Sequence, residues 1–142
     1  MFNKRYEERL ITWAGFRDSL EDAEEPFRQV QELYNTCPLV SMYTDPYDIS
    51  TWPDPWQLVE ENQYCEFRIV LAQCYSLQLT ERFTDAKFEI HIYVDQDKSD
   101  MKYLLIINDE HVLGYDRYEV VSKSSLPETL QPQMSHLMHT IQ

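Results

Sequence analysis

The hydrophobic pattern of the chain changes its period near residue 84, and this change constrains the fold more than any other feature. Before that point apolar residues recur at helical spacing, whereas KFEIHIYVD alternates apolar and polar side chains from Phe88 to Val94. Alternation of this kind is typical of a strand with one buried face. Helices followed by strands predict an α+β domain with a helical N-terminal half.

A pair of helices is predicted within residues 1–36. The first carries its apolar residues at helical spacing and is expected to end at Gly15. The second begins at Pro26, which suits a first-turn position, and Pro38 forbids its continuation. We expect these two helices to pack antiparallel to each other.

Residues 37–56 form a proline-rich segment, CPLVSMYTDPYDISTWPDPW, that predicts a long ordered loop. Asp54 and Pro55 are expected to cap and begin a short helix, and Asn62 is expected to cap the segment that follows it. That segment is apolar on most of its circumference. It predicts a central buried helix within residues 57–80.

Residues 87–121 predict a three-stranded antiparallel meander on which the central helix packs. KFEIHIYVD is the first strand, MKYLLIIN is the middle strand because it is apolar on both faces, and HVLGYDRYEVV is the third. The C-terminal arm, residues 122–142, is predicted as a short helix that docks on its own domain or on a neighbour. The whole chain, residues 1–142, is expected to form a single domain.

The net charge of the chain limits the classes of partner that it can bind. A net charge of −13, from 25 acidic and 12 basic side chains, repels nucleic-acid phosphates and anionic lipids, so neither nucleic acid nor membrane is expected as a partner. An acidic decoy for a DNA-binding protein is the one exception. No stretch approaches the roughly 18 apolar residues of a membrane helix, and the N-terminus lacks the apolar segment of a secretory signal. Three unpatterned cysteines predict free thiols in a reducing, cytosol-like compartment.

The sequence contains no motif that would indicate a nucleotide cofactor or a metal site. Gly15 and Gly114 are the only glycines, so neither a phosphate-binding loop nor a dinucleotide fingerprint can be formed, and no cofactor is expected. The acidic run at residues 21–25 lacks the spacing and glycine of a calcium loop and suits a helix N-terminus. His136 and His139 would share a helix face, but a solvated face is favoured over a metal site because no further ligand stands at ligand spacing.

One set of side chains could supply the nucleophile, the base and the acid of a cysteine enzyme. Cys65 lies near the start of the central helix, His91 lies on a strand, and Asp109 follows one hairpin later, with Asp116 as a second candidate acid. The helix terminus would favour the thiolate, and the imidazole could accept its proton. Over residues 52–118 the order of these elements resembles the transglutaminase-like, papain-like cysteine-enzyme core. That resemblance implies a cysteine hydrolase or acyltransferase.

The surroundings of Cys65 argue instead for an inert thiol. Glu60, Glu61 and Glu66 bring negative charge close to it, and this opposes thiolate formation. Tyr64 and Glu66 also occupy positions where small residues usually flank such a nucleophile. No catalytic residue is therefore favoured, and a non-enzymatic protein is expected rather than an enzyme.

The aromatic, proline-rich loop is the main candidate for a contact surface. Large rings beside rigid prolines lose little conformational entropy when a partner orders them. The alternative, that the rings of Trp52 and Trp56 simply cover the central helix, is left open. The predicted interface consists of Tyr43, Tyr47, Trp52 and Trp56 from the loop and Met134, Leu137 and Met138 from the C-terminal arm.

Several segments carry a second resemblance: DPYDISTWPDPWQLVEENQYCEF, YSLQLTERF, KFEIHIYVD and YLLIINDEHVLGYD. From about Phe16 to Val121, the chain resembles the small uncharacterised virion-associated proteins of contractile-tailed (myovirus) phages of marine cyanobacteria. This resemblance implies a structural or assembly role at the neck, tail or baseplate. Other virion proteins or further copies of the chain would be its partners, and it would be located in the virion after assembly in the host cytoplasm.

Overall fold

The helical half of the chain packs against a five-stranded antiparallel sheet in the computed structural model, which describes residues 1–141. The predicted α+β class and helical N-terminal half are confirmed. Within the described residues, no helix is both long and apolar enough to cross a membrane. The elements are α1 (Tyr6–Leu20), α2 (Pro26–Asn35), α3 (Pro55–Glu61), α4 (Glu66–Gln78), β1 (Phe88–Asp95), β2 (Asp100–Ile107), β3 (His111–Leu113), β4 (Val121–Ser122) and β5 (Leu130–Met138).

The first helix is longer than the sequence indicates. α1 runs through Gly15 to Leu20, so the predicted stop at Gly15 is wrong. A glycine inside a helix costs only about 1 kcal/mol relative to alanine, and the fully buried Leu20 holds the last turn against the core. The Arg9 guanidinium ties α1 to α3 by donating to the backbone carbonyls of Val59 and Glu60, at 3.0 and 3.1 Å. These carbonyls lie in the last turn of α3, where positive charge is favourable.

The junction between α3 and α4 determines where the central helix begins. Asp54 caps α3 as predicted, because its carboxylate accepts the N–H of Gln57 at 2.8 Å. Asn62 does not cap the next helix but ends α3 in the left-handed region, with φ of 51°. Cys65 takes the N-cap position of α4 instead, with no side-chain hydrogen bond to the helix. The thiol therefore stands at the N-terminal end of the buried helix.

The sheet has the strand order β4-β3-β2-β1-β5. The predicted meander of β1, β2 and β3 forms its centre, but the prediction of three strands with a long third one is wrong. Only His111–Leu113 pair as β3, because the chain turns away at Gly114 and returns as the short β4. The prediction of a helical C-terminal arm is wrong, because β1 offers a free edge and the arm pairs with it as β5. Pro132, which has no N–H to donate, lies beside the register shift between Ile92 and Tyr93. The arm therefore docks on its own domain.

The two faces of the sheet have different coverings. Strand alternation directs Ile90 and Leu105 into the main core, which they share with α4 and the other helices. Leu104 and Val112 point the other way into a small second cluster, which is covered by the chain that follows β3. A side chain on β1 or β2 therefore reaches either the helices or the opposite face, but never both.

Candidate functional site

Cys65 lies at a corner of the molecule where the N-terminus of α4 meets β2. Its partly buried side chain packs against the main core, as does Tyr103 of β2, and Cys65 is near enough to act electrostatically on the Tyr103 hydroxyl. Glu66 and two tyrosines of the loop, Tyr43 and Tyr47, are near enough to act electrostatically on the Tyr103 hydroxyl. We call these five residues the thiol corner.

Tyr103 is the residue of the thiol corner that the sequence did not single out. Burial raises the pKa of its phenol, and Tyr47 and Glu66 raise it further. Its ring packs edge-on against Phe67, with ring centroids 5.4 Å apart. A phenol with a raised pKa keeps its proton at neutral pH and cannot serve as the base that a thiol nucleophile needs. Its alternation with Leu105 along an apolar strand was the only signal of its orientation.

His91 lies on the opposite face of the sheet from Cys65. It is the register partner of Leu104, which belongs to the second cluster. Its Nδ1 lies 3.1 Å from the Tyr93 hydroxyl, and its Nε2 lies 3.8 Å from a Glu89 carboxylate oxygen. The structure therefore does not bring His91 to the thiol, because it belongs to the set of alternate strand residues that point away from the helices.

Asp109 is also remote from Cys65. It lies in the turn between β2 and β3, where its carboxylate accepts a hydrogen bond from the Lys87 ammonium at 3.0 Å. At roughly 3.3 Å per residue, the strand separates Asp109 from Tyr103 by about 20 Å. The arrangement of Cys65, His91 and Asp109 inferred from their order along the chain is therefore not assembled.

Asp116, the second candidate acid, lies at the thiol end of the sheet. It lines one cavity together with Glu66 and Tyr103. Its carboxylate accepts the backbone N–H groups of Tyr118 and Glu119 at 2.8 and 2.9 Å, and these bonds lower its pKa. None of the chain's four histidines, all within the described residues, lines this cavity. The carboxylate therefore has no imidazole to orient there.

The other two cysteines are more deeply buried than Cys65. All three are free thiols in the structure, as the sequence predicts. Burial raises the pKa of Cys37 to about 12 and that of the fully buried Cys74 still further. Cys65 is therefore the thiol most open to reagents.

Trp52 turns inward from the aromatic loop. Its ring lies between Phe67 and His136, with centroids 5.1 and 5.2 Å away, and its N–H donates to the Asp45 carbonyl at 3.0 Å. The ring of Trp52 therefore covers the central helix, which is the alternative that the sequence left open.

Three other aromatic residues of the loop face outward. Tyr43 is 79% exposed, Tyr47 52% and Trp56 47%. One edge of Trp56 meets the Trp13 ring at 5.5 Å, and the Arg17 guanidinium lies 5.8 Å from the Trp56 ring. These three rings are available to a partner, and their role as contacts stays a prediction.

The predicted contact residues of the C-terminal arm lie on β5 and share no helix face. Met138 packs on the main core, Met134 is partly buried, and Leu137 is 46% exposed. His136 and His139 have ring centroids 6.4 Å apart. Among residues 1–141, however, no group of three or more histidine, cysteine or acidic side chains could hold a metal ion.

The partial burial of the His91 imidazole predicts that the stability of the protein depends on pH. Burial lowers the pKa of His91, while the carboxylate of Glu89 opposes that shift. The unfolded chain therefore takes up the proton first, and the free energy of unfolding should fall as the pH drops below about 6.5. Urea unfolding at several values between about pH 7.5 and 5.5 measures this.

His91→Gln is the matched control for this pH effect. It removes the titrating imidazole but keeps a polar side chain at this position. All other titrating groups are the same in the wild type and the variant, so their contributions to the pH dependence cancel in the difference. The stability of the wild type minus that of the variant should decrease towards pH 5.5. A difference that stays constant or increases would contradict the prediction.

Comparisons with known proteins identify the fold. No protein-family model matches the sequence, and no curated protein sequence matches it significantly. Calcium-bound LapG of Legionella pneumophila has a TM-score of 0.67 at 12% identity, covering 91% of this chain and 74% of that one. A second LapG structure has a TM-score of 0.69 at 16% identity (92% and 74%), and EGTA-treated LapG has 0.68 at 17% (92% and 73%).

These structural similarities extend over nearly the whole described chain. LapG has a transglutaminase-like cysteine protease fold, so the first resemblance drawn from the order of elements is supported at the level of fold. At such low identity the similarity establishes the fold alone. The virion resemblance receives no support from these structures.

Proposed function

We propose that this chain uses a transglutaminase-like fold as a non-catalytic protein-binding domain. The observation that carries the proposal is the composition of the thiol corner. Cys65 shares this corner with Tyr103, Glu66 and two loop tyrosines, while His91 lies on the other face of the sheet.

A working cysteine nucleophile needs a base within hydrogen-bond reach and an environment that favours the thiolate. Within the described residues, the Cys65 side chain forms no hydrogen bond to cap α4. Glu66 adds negative charge beside it, and the Tyr103 phenol keeps its proton because burial raises its pKa. Among residues 1–141, Cys65 therefore has neither a hydrogen bond to the helix nor an imidazole base beside it, so the thiol corner suits binding better than catalysis.

The aromatic loop supplies an ordered surface for such binding. The Arg68 guanidinium donates to the Thr44 hydroxyl at 2.8 Å, and the Tyr75 hydroxyl donates to the Pro53 carbonyl at 2.8 Å. Both bonds are buried and hold the loop from α4. Because the backbone is already fixed, exposed rings such as Tyr43 lose less entropy when a partner covers them.

A cysteine hydrolase or acyltransferase is the second candidate function. It is favoured by the similarity to LapG and by the position of Cys65, partly accessible at the N-terminus of a buried helix. In this case a different base, supplied by a movement of the chain or by a partner, would have to reach the thiol.

Alkylation of Cys65 distinguishes the two candidates. We expect iodoacetamide at neutral pH to modify Cys65 no faster than it modifies a cysteine of the unfolded chain, since no imidazole of the described residues lies within reach of the thiol to accept its proton. Mass spectrometry of peptides from the native protein locates and times the modification. Cys37 and Cys74 should stay unmodified because both are buried.

The control for alkylation is the Cys65→Ser variant, which should take up no label while folded. Alkylation of Cys65 more than about tenfold faster than in the unfolded chain would contradict the non-catalytic proposal and favour the hydrolase.

The setting in which the domain binds its partner is a separate proposal. Only the resemblance of its segments to virion-associated phage proteins supports a place in a tailed-phage particle. Detection of the chain in purified particles by proteomics tests that setting, and its absence from them would remove the phage role without affecting the proposed binding function.

A further inference from the structure

An acidic cavity of about 210 Å³ lies between α2, α4 and the N-terminal end of β2. Its mouth carries the exposed carboxylates of Glu66, Asp100 and Asp116. Its inner wall includes Gln31 and Gln73, which are only 2% and 3% exposed. Since one water occupies roughly 30 Å³ in the liquid, the space is far larger than one bridging water needs. We call this space the acidic cavity.

Two buried amide atoms of the acidic cavity have no hydrogen-bond partner within the described part of the chain. Gln31 Oε1 accepts the N–H of Gly114 at 2.9 Å, which fixes the orientation of the amide and leaves Nε2 as a free donor. Gln73 Oε1 is a free acceptor. Buried polar groups are rarely left without partners, so the cavity offers a ligand one donor and one acceptor.

The charge at the mouth of the cavity selects for a cation. Asp100 is paired with Lys102 at 3.5 Å. Glu66 and Asp116 form no ion pair among residues 1–141, and hydrogen bonds to backbone N–H groups keep Asp116 ionised. On a chain of net charge −13, two uncompensated carboxylates repel anions and attract positive groups.

Aromatic rings lie beside these carboxylates. Tyr103 lines the cavity, and Tyr43 and Tyr47 of the loop are close to its hydroxyl. The faces of such rings attract cations, and a guanidinium can also stack on them. Carboxylates, a carbonyl oxygen and aromatic faces are together the groups that recognise a basic side chain.

We propose that the acidic cavity binds an arginine side chain presented by a partner protein. The guanidinium donates to Glu66 and Asp116 at the mouth and to Gln73 Oε1 deeper inside, and a backbone carbonyl of the same segment accepts from Gln31 Nε2. Arginine suits this set better than lysine because its planar group has five donors and stacks on rings. The inference rests on the proposed protein-binding function and specifies the chemistry of the partner.

Short peptides test the proposal with the full chain. We expect acetyl-Ala-Arg-Ala-amide, at up to about 10 mM, to shift the side-chain amide NMR signals of Gln31 and Gln73. A matched peptide with citrulline, which has nearly the same shape without the charge, should bind at least about tenfold more weakly. A third peptide, with lysine in place of arginine, should also bind more weakly. Equal binding of the citrulline or the lysine peptide, or no shift with the arginine peptide, would overturn the proposal.

Paired variants locate the binding site. Glu66→Gln combined with Asp116→Asn should weaken arginine-peptide binding by about tenfold or more. Glu8→Gln, which removes the same kind of charge from an exposed position on α1, should leave it nearly unchanged. If the double variant does not fold, the NMR signals that shift when the arginine peptide is added to the wild-type protein locate the binding site. Shifts confined to residues outside the acidic cavity would contradict the proposal.

Failure of this inference can be told apart from failure of the proposed function. An inert Cys65 with no arginine binding would overturn the cavity assignment alone. Rapid alkylation of Cys65 would overturn the non-catalytic proposal whatever the peptides do.

Discussion

Replacing Gly114 by alanine is expected to lower the free energy of unfolding by about 2–4 kcal/mol. Gly114 has φ of +94°, a conformation that side-chain-bearing residues rarely adopt. A Cβ at this position would also lie 2.9 Å from the backbone carbonyl oxygen of Tyr103. That oxygen belongs to a central strand and cannot move aside, so strain and overlap add together.

Gly15→Ala is the matched control, because it makes the same chemical change at the other glycine. Gly15 lies within α1, and a Cβ built there meets no atom within 4 Å. Its replacement should stabilise the protein by about 0.5–1 kcal/mol through helix propensity and reduced freedom of the unfolded chain. Urea unfolding measures both variants, and equal effects of the two substitutions would show that the conformation of Gly114 is not as described.

The second large effect is expected at a buried hydroxyl where three elements meet. Ser76 of α4 is fully buried and donates to the Ala72 carbonyl at 2.8 Å. Because its single O–H is used there, it accepts hydrogen bonds from the indole N–H of Trp13 and the hydroxyl of Tyr34, each at 3.0 Å. Ser76→Ala leaves two buried donors without partners, which should cost about 2–4 kcal/mol.

Two further variants separate this mechanism from a general effect of losing a serine. Tyr34→Phe removes one of the orphaned donors, so the double variant should be about 1–2 kcal/mol more stable than the sum of the single effects predicts. Ser19→Ala, at an exposed position of α1, should change the stability by less than about 0.5 kcal/mol. A loss at Ser76 no larger than that at Ser19 would contradict the buried network.

The same network shows why a polar residue can be essential in a core without any catalytic role. Burial raises the pKa of Tyr34 to about 12, so its phenol stays protonated and serves as a structural donor. Trp13, Tyr34 and Ser76 join α1, α2 and α4 into one layer. That layer supports the wall of the acidic cavity, since Gln31 of α2 and Gln73 of α4 project from the same helices.

Local patterns determined much of the architecture. The change of hydrophobic period separated helices from strands, Asp54 and Pro55 marked the start of α3, and alternation identified β1. These features depend on interactions between residues close in sequence, such as a carboxylate that caps the N–H groups following it. The composition alone also ruled out phosphate-binding loops, since two glycines cannot form them.

Elements with competing local tendencies were predicted less well. Gly15 favours a helix end, but the burial of Leu20 outweighs its propensity. The C-terminal arm has helical spacing of its methionines and leucine, yet the free edge of β1 supplies hydrogen bonds that an isolated short helix could not match. In each case a long-range contact, which the local sequence does not encode, was decisive.

The candidate site was decided by the tertiary structure. The sequence by itself determined that Cys65 stands near a helix start and that His91 occupies the polar face of its strand. Only the packing shows that α4 covers the other face, so that the thiol meets Tyr103 and Glu66 while the imidazole is out of reach. The physical reason is that a strand has two faces of opposite orientation, and which one a distant helix covers depends on the burial of the whole sheet.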